Sequence, residues 1–330
     1  MPPTKRDMPA PRVRHDRPPC DTSRMRLSSL SPFVALLVLG APVSSAAPAS
    51  AAAAPAPAAS ALPPLDAATT LLVVAPHPDD ETLCCAGVIQ RVVHAGGHAS
   101  VVWLTSGDGS RLAFLLLDHT AFPSPAQARA LGARRMAEAR AAGSRLGVPA
   151  SGQLFLGYPD GGLQPLAGER RAQPYSSRST AADAVPYSEA LFPAHLYTSA
   201  TLASDFDAVL ERVHPTLILA PSLTDTHPDH RAAGQLTLAA LARRSAAPQV
   251  RYWIVHGGQG WPSPRQLMPG VPLTPAPCGK RSTSVAFALE PAEEDGKLFA
   301  LQAYATQMQL MAPFLLAFVR TTEQFSAAPR

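Results

Sequence analysis

The segment Leu71-Leu-Val-Val-Ala75 is apolar at every position and ends at Pro76. A strand with one wet face alternates apolar and polar residues, so a uniformly apolar strand needs cover on both sides. Thr216-Leu-Ile-Leu-Ala220 repeats the pattern. Around these two runs, short apolar stretches alternate with longer helical ones. Strands are predicted over 71–75, 99–104, 153–156, 216–220, 250–255 and 282–289. Helices are predicted over 80–95, 126–146, 202–213, 231–243 and 292–311, the first closed by Gly96-Gly97 and the second by Gly147 and Pro149. This order predicts an α/β fold: a Rossmann-like, mostly parallel sheet with helices on both faces. Ligands in such a sheet bind outside the carboxyl ends of the strands. Residues 157–200 are rich in Gly, Pro, Ser and Tyr and show no period, as expected of a segment that shapes a binding site.

The folded body is expected to span residues 66–330. Ahead of it, Arg24 and Arg26 precede the apolar stretch 33–40, and Ser44-Ser-Ala46 offers a small-residue cleavage site. Residues 1–46 therefore read as a signal peptide, with Met25 as an alternative start, and the protein is expected to be exported. The apolar stretch is shorter than the roughly 20 residues a membrane-spanning helix needs, so no stable membrane span is expected after cleavage. Residues 47–65 are an Ala/Pro-rich, low-complexity linker, and the leader as a whole is expected to be disordered.

The formal charge of +4 belongs to the leader. Seven of the 28 basic side chains and three of the 24 acidic ones fall in residues 1–46, which leaves the body neutral. No basic stripe with interleaved aromatics occurs in it, so a nucleic-acid partner is not expected. Cys84, Cys85 and Cys278 in the body permit one disulfide, with Cys278 paired to Cys84 or to Cys85, and small buried residues are the plainer reading of all three.

Two motifs carry chemistry. Pro76-His-Pro-Asp-Asp-Glu81 lies where a buried strand gives way to a helix, and His227-Pro-Asp-His230 follows the strand at 216–220. Either alone reads equally well as a turn with a helix cap. Together they supply two imidazoles and a carboxylate for a catalytic metal site with an open position, and they leave a spare carboxylate and a spare imidazole. Those spare groups suit proton transfer from a metal-activated water and stabilisation of an oxyanion, the needs of amide hydrolysis. His119, His195, His214 and His256 have no ligand-spaced partner, and Ser106-Gly-Asp-Gly109 fits no phosphate-binding pattern.

The pairing of PHPDDE with HPDH resembles the PIG-L/LmbE-like deacetylases, zinc-dependent members of which remove N-acetyl groups from N-acetylglucosamine-containing substrates. The likeness covers roughly residues 70–255 and includes Arg135-Met-Ala-Glu138, Leu146-Gly147 and Leu156-Gly-Tyr-Pro-Asp-Gly161. The resemblance implies His77, Asp80 and His230 as Zn2+ ligands, with Fe2+ or Mn2+ as other ions such a site accepts. It implies Asp79 as general base, His227 as the group that stabilises the oxyanion and assists the leaving amine, and Asp229 as orienter of a neighbouring imidazole. Arg135 and Asp160 fall at substrate-binding positions, with Arg134 a competitor for the arginine role. Some sugar-deacetylating relatives carry a mobile tyrosine where this chain has Asp225, an acid placed to bind substrate or to cap the loop. That departure, with the leader, sets the chain apart from the cytoplasmic mycothiol-pathway branch.

The function expected is an exported zinc hydrolase that removes an N-acyl group, chiefly acetyl, from an amino sugar, glycan or glycoconjugate. Two alternatives are an amidase for a longer acyl chain on a secondary metabolite or antibiotic, and a carbohydrate-binding module without turnover.

Overall fold

The computed structural model describes residues 62–168, 173–279 and 283–329, so the leader and most of the linker lie outside the described residues. Seven strands form one sheet: β1 (Thr70–Ala75), β2 (His98–Thr105), β3 (Gln153–Tyr158), β4 (Leu217–Pro221), β5 (Gln249–Trp253), β6 (Ser284–Ala288) and β7 (Thr322–Ser326), in the order β3-β2-β1-β4-β5-β7-β6. The first five are parallel, and β7 runs antiparallel to both β5 and β6. The sheet is thus mixed but mostly parallel. Leu71 to Ala75 and Leu217 to Ala220 are almost completely buried at its centre, as their uniform apolarity requires.

Strand order reverses between β1 and β4. Chain leaving β1 crosses to β2 through α1 (Asp80–His94), and chain leaving β4 crosses to β5 through α6 (Pro228–Leu241). The two connections diverge, opening a crevice at the carboxyl ends of the two central strands. The helices form two groups. In one, α1 and α3 (Pro125–Arg145) both contact α7 (Pro291–Leu301). In the other, α4 (Leu163–Gly168), α5 (Ser199–Val213) and α6 contact one another.

One predicted element is corrected, and two further elements join the fold. The helix expected over 292–311 is two helices, α7 and α8 (Ala305–Leu316), because the chain turns at Gln302-Ala-Tyr304 and buries Tyr304. Strand β7, absent from the sequence reading, follows and slots between β5 and β6. A short helix, α2 (Arg111–Leu116), capped by Ser110, was also unpredicted. Among its described residues the 157–200 stretch is mostly irregular, though it contains α4 and an isolated bridge between Ala184 and Leu196. The cysteine expectation is corrected as well: Cys84 and Cys85, neighbours in sequence, are bonded to each other rather than either to Cys278, whose Sγ lies 3.8 Å from the His256 carbonyl oxygen. Among the described residues no helix is long and apolar enough to cross a membrane.

Candidate active site

The two motifs meet. Pro76 ends β1, and the turn 76–79 leads into α1 with Asp79 at its N-cap in a positive-φ conformation (φ 113°) that L-residues rarely adopt. Arg135 on α3 pins this turn, donating to Pro78 O at 2.8 Å and Gly107 O at 3.0 Å, with Asp79 Oδ2 at 3.5 Å. The strained backbone turns the Asp79 carboxylate onto the wall of a cleft of about 240 Å³. From the other loop, His227 caps α6 and His230 sits on its first turn, fully buried.

Asp80 Oδ2 is the meeting point. It lies 3.2 Å from His77 Nδ1 and 3.2 Å from His230 Nε2, and it accepts from His77 N at 2.9 Å. His230 Nε2 is buried and, although it lies 3.2 Å from Asp80 Oδ2, forms no regular hydrogen bond. An orphaned buried nitrogen is costly unless something else completes it. Asp225 Oδ2 holds the opposite nitrogen, Nδ1, at 3.1 Å and so leaves Nε2 turned toward Asp80. Ligand-type atoms of His77, His227 and His230 lie within 4.8 Å of one another, as do those of Asp80, His230 and His256 and those of His77, Asp160 and Asp229.

The charges are arranged for a cation. Burial opposes a charged His77 ring, yet Asp160, Asp229 and Asp80 hold its pKa well above the ordinary imidazole value. His230 is buried too, and Asp80 and Asp225 lift it to about 9. Burial likewise opposes ionisation of Asp80, but His230 and His77 hold it well below the usual carboxylate range. Such an excess of acids draws protons onto the imidazoles, and a divalent ion satisfies the same field with one charge centre. Nitrogen and carboxylate donors of this kind suit zinc, iron(II) or manganese. The residues fit a metal.

Asp79 differs from its neighbours. Burial raises it to about 8, assisted by Asp80 and Glu81 and opposed by Arg135 and His77. A carboxyl group near neutrality on the cleft wall is poised to exchange protons. His227 moves the other way, lowered to about 2 by burial and by the adjacent His77, His230 and His256. Its Nδ1 accepts from Asp229 N at 3.3 Å, so the neutral ring carries its proton on Nε2, ready to donate.

Other expected residues take clear places. Asp229 is fully buried. It accepts from Gly161 N at 2.7 Å and Leu163 N at 3.2 Å, and its Oδ2 lies 3.3 Å from His77 Nε2, so His77 is the imidazole it faces. Asp160 Oδ1 lies 3.4 Å from the same nitrogen while Oδ2 accepts from Gly109 N, and the residue lines the cleft. Arg135 is buried and lines it as well, whereas Arg134 is exposed on the outer face of α3. Asp225 is corrected. It is 1% exposed, and its oxygens accept from His227 N, Val255 N, His256 N and His230 Nδ1, which leaves none for a substrate.

Sequence reasoning passed over His256. It follows β5, packs its ring 4.7 Å from that of His230 and 4.9 Å from that of His227, and lines the cleft. Its place past the end of a third parallel strand was the available signal. Glu81 was also missed as a tie. Its carboxylate accepts from Trp103 Nε1 at 2.9 Å and from the Tyr304 and Thr82 hydroxyls at 2.5 Å.

Comparison with known families places these loops. The family described as PIG-L, GlcNAc-PI de-N-acetylase, matches residues 72–241, half of the chain, and the match contains both motifs. The chain belongs to the PIG-L family. Among its relatives is a 1D-myo-inositol 2-acetamido-2-deoxy-alpha-D-glucopyranoside deacetylase of Mycobacteroides abscessus, 31% identical over 72% of this chain and 81% of the relative. A deacetylase of the same description from Mycobacterium sp. (strain KMS) is 33% identical over 58% of this chain, which spans only 56% of that relative's length. Of solved structures, a deacetylase triple mutant (Orf2*T) involved in the teicoplanin biosynthetic pathway superposes with a TM-score of 0.50 at 17% identity, covering 78% of this chain and 97% of its own. That likeness concerns the fold. The PIG-L match stops at the end of α6, so the cleft wall formed by Val255, His256, Met311 and Phe314 lies beyond it.

Proposed function

We propose that this PIG-L protein is an exported, zinc-dependent hydrolase that removes an N-acyl group, chiefly acetyl, from an amino sugar or a conjugate of one. The observation that carries the reading is the convergence of His77 Nδ1 and the orphaned His230 Nε2 on Asp80 Oδ2, beside the Asp79 carboxylate in an open cleft. Support for the substrate class comes from the relatives, whose names describe deacetylation of an acetamido sugar. The leader's basic, apolar and small-residue segments support export.

His77, Asp80 and His230 would hold the ion, which when bound supplies Lewis acidity toward water and an amide carbonyl. Asp79 takes the proton of the attacking water on its carboxylate and returns it to the departing nitrogen. His227 donates its Nε2–H to the carbonyl oxygen as negative charge grows there. Asp229 and Asp225 hold the His77 and His230 rings in place. In purified protein, a chelator should abolish acetate release from N-acetylglucosamine derivatives and added Zn2+ should restore it. Acetate release indifferent to chelation overturns the proposal.

A further inference from the structure

A second hollow, of about 540 Å³, opens beside the catalytic cleft, and Gly109 and Asp160 line both. The two hollows therefore adjoin, and a ligand with its amide against Asp79 can extend toward the second. The walls of this hollow are of two kinds. Phe122, 92% exposed, supplies an apolar ring, and Arg111 and Arg178 supply positive charge. Among the described residues neither arginine makes a hydrogen bond or an ion pair, whereas Arg91, Arg135, Arg140 and Arg243 each engage a carboxylate. Asp160, the carboxylate on the shared floor, is committed to Gly109 N and His77. One exposed arginine on a surface is ordinarily a solvated face. Here two lie without partners around one hollow, with a phenylalanine ring left in water beside them. Planar cations next to an apolar ring match a ring that bears an anionic group.

We infer that this hollow is an acidic-group subsite: Arg111 and Arg178 bind a carboxylate or phosphate carried by the unit attached to the N-acyl amino sugar, and Phe122 packs against its ring. The inference rests on the proposed hydrolase reading for the position of the amide. Neutral substrates then lack a contact that acidic ones make, and the enzyme selects acidic glycoconjugates.

The test uses phenyl, 4-carboxyphenyl and 4-phosphophenyl glycosides of N-acetylglucosamine for kcat/KM, and the same glycosides of glucosamine, which undergo no turnover, for Kd by calorimetry. Wild-type protein should favour the anionic glycosides over the neutral one on the order of tenfold in both measures, a modest ratio because exposed ion pairs are screened. The favoured arm distinguishes carboxylate from phosphate. The ratio should shrink as salt is raised, fall to about one in Arg111→Ala/Arg178→Ala, and invert in Arg111→Glu/Arg178→Glu. A wild-type ratio near one, or a ratio unchanged in the double alanine variant, overturns the subsite. If no glycoside releases acetate, the hydrolase reading fails, and the Kd ratio alone decides the subsite.

Discussion

Asp225→Asn tests how the HPDH loop is held. The wild-type carboxylate accepts from His227 N through Oδ1 at 2.8 Å, and through Oδ2 from Val255 N and His256 N at 3.0 Å and from His230 Nδ1 at 3.1 Å. Burial opposes its ionisation, yet His230, His256 and these donors hold its pKa at about 2. An asparagine has one acceptor oxygen. Its best orientation keeps that oxygen toward the three donors and sets an NH2 against His227 N, losing one bond outright and the charge from the other three. At about 1.5–3 kcal/mol for a hydrogen bond to a charged group, and about half that for a neutral one, one lost bond and three weakened ones sum to about 4–7 kcal/mol, offset in part because asparagine buries no charge. His230 also loses the anion that orders its ring, and loss of such a partner weakens metal binding by about 10–100-fold. Urea unfolding of metal-free protein reads the first quantity, and zinc competition against a chromophoric chelator reads the second. If Asp225→Asn lost stability but bound zinc like wild type, Asp225 would serve only the backbone. If it lost neither, the hydrogen-bond argument would be wrong.

Three further outcomes are expected. Asp79→Asn should lower acetate release by about 10²–10⁴-fold while retaining its zinc by elemental analysis, and wild-type turnover would remove the proton-transfer role. Asp108 is raised to about 7 by burial, against its bonds from Tyr187 Oη and Asp160 N. Its folded pKa exceeds its unfolded one, so its contribution is complete below about pH 4 and fades as pH rises to about 7, on the order of a few kcal/mol. Urea midpoints at pH 5 and pH 8 should therefore differ less in Asp108→Asn than in wild type, and an equal difference refutes the assignment. Lys297 Nζ and Glu323 form a fully buried pair at 2.9 Å. Lys297→Met should cost about 3–5 kcal/mol, with partial recovery in Lys297→Met/Glu323→Gln, and a single variant as stable as wild type would show the pair to be dispensable.

How much was legible in the sequence depended on where each signal lies. The two central strands announce themselves because burial on both faces demands uniform apolarity, and the strand-end rule then locates PHPDDE and HPDH. α3 was equally plain: the helix expected over 126–146 and stopped at Gly147 forms as Pro125–Arg145. Tertiary features left no local mark. Strand β7 carries Glu323, polar in sequence but matched in space by Lys297 on α7. Tyr304 interrupts an apolar periodic stretch because its hydroxyl reaches Glu81, far earlier in the chain. His256 has no partner nearby in sequence; the carboxylate of Asp225, on another loop, accepts from its backbone N–H and so draws it to the site.

Residues past 241 have a consequence for how this chain can change. The groups proposed to grip the ion and transfer protons all belong to the part shared with the PIG-L family, whereas Val255, His256, Met311 and Phe314 come from the part the family description does not reach. One wall of the cleft is thereby separated along the polypeptide from the groups proposed to carry the chemistry, while its Gly109 and Asp160 side stays within the shared part. Drift in the tail can reshape that wall while the residues of the two motifs stay unchanged.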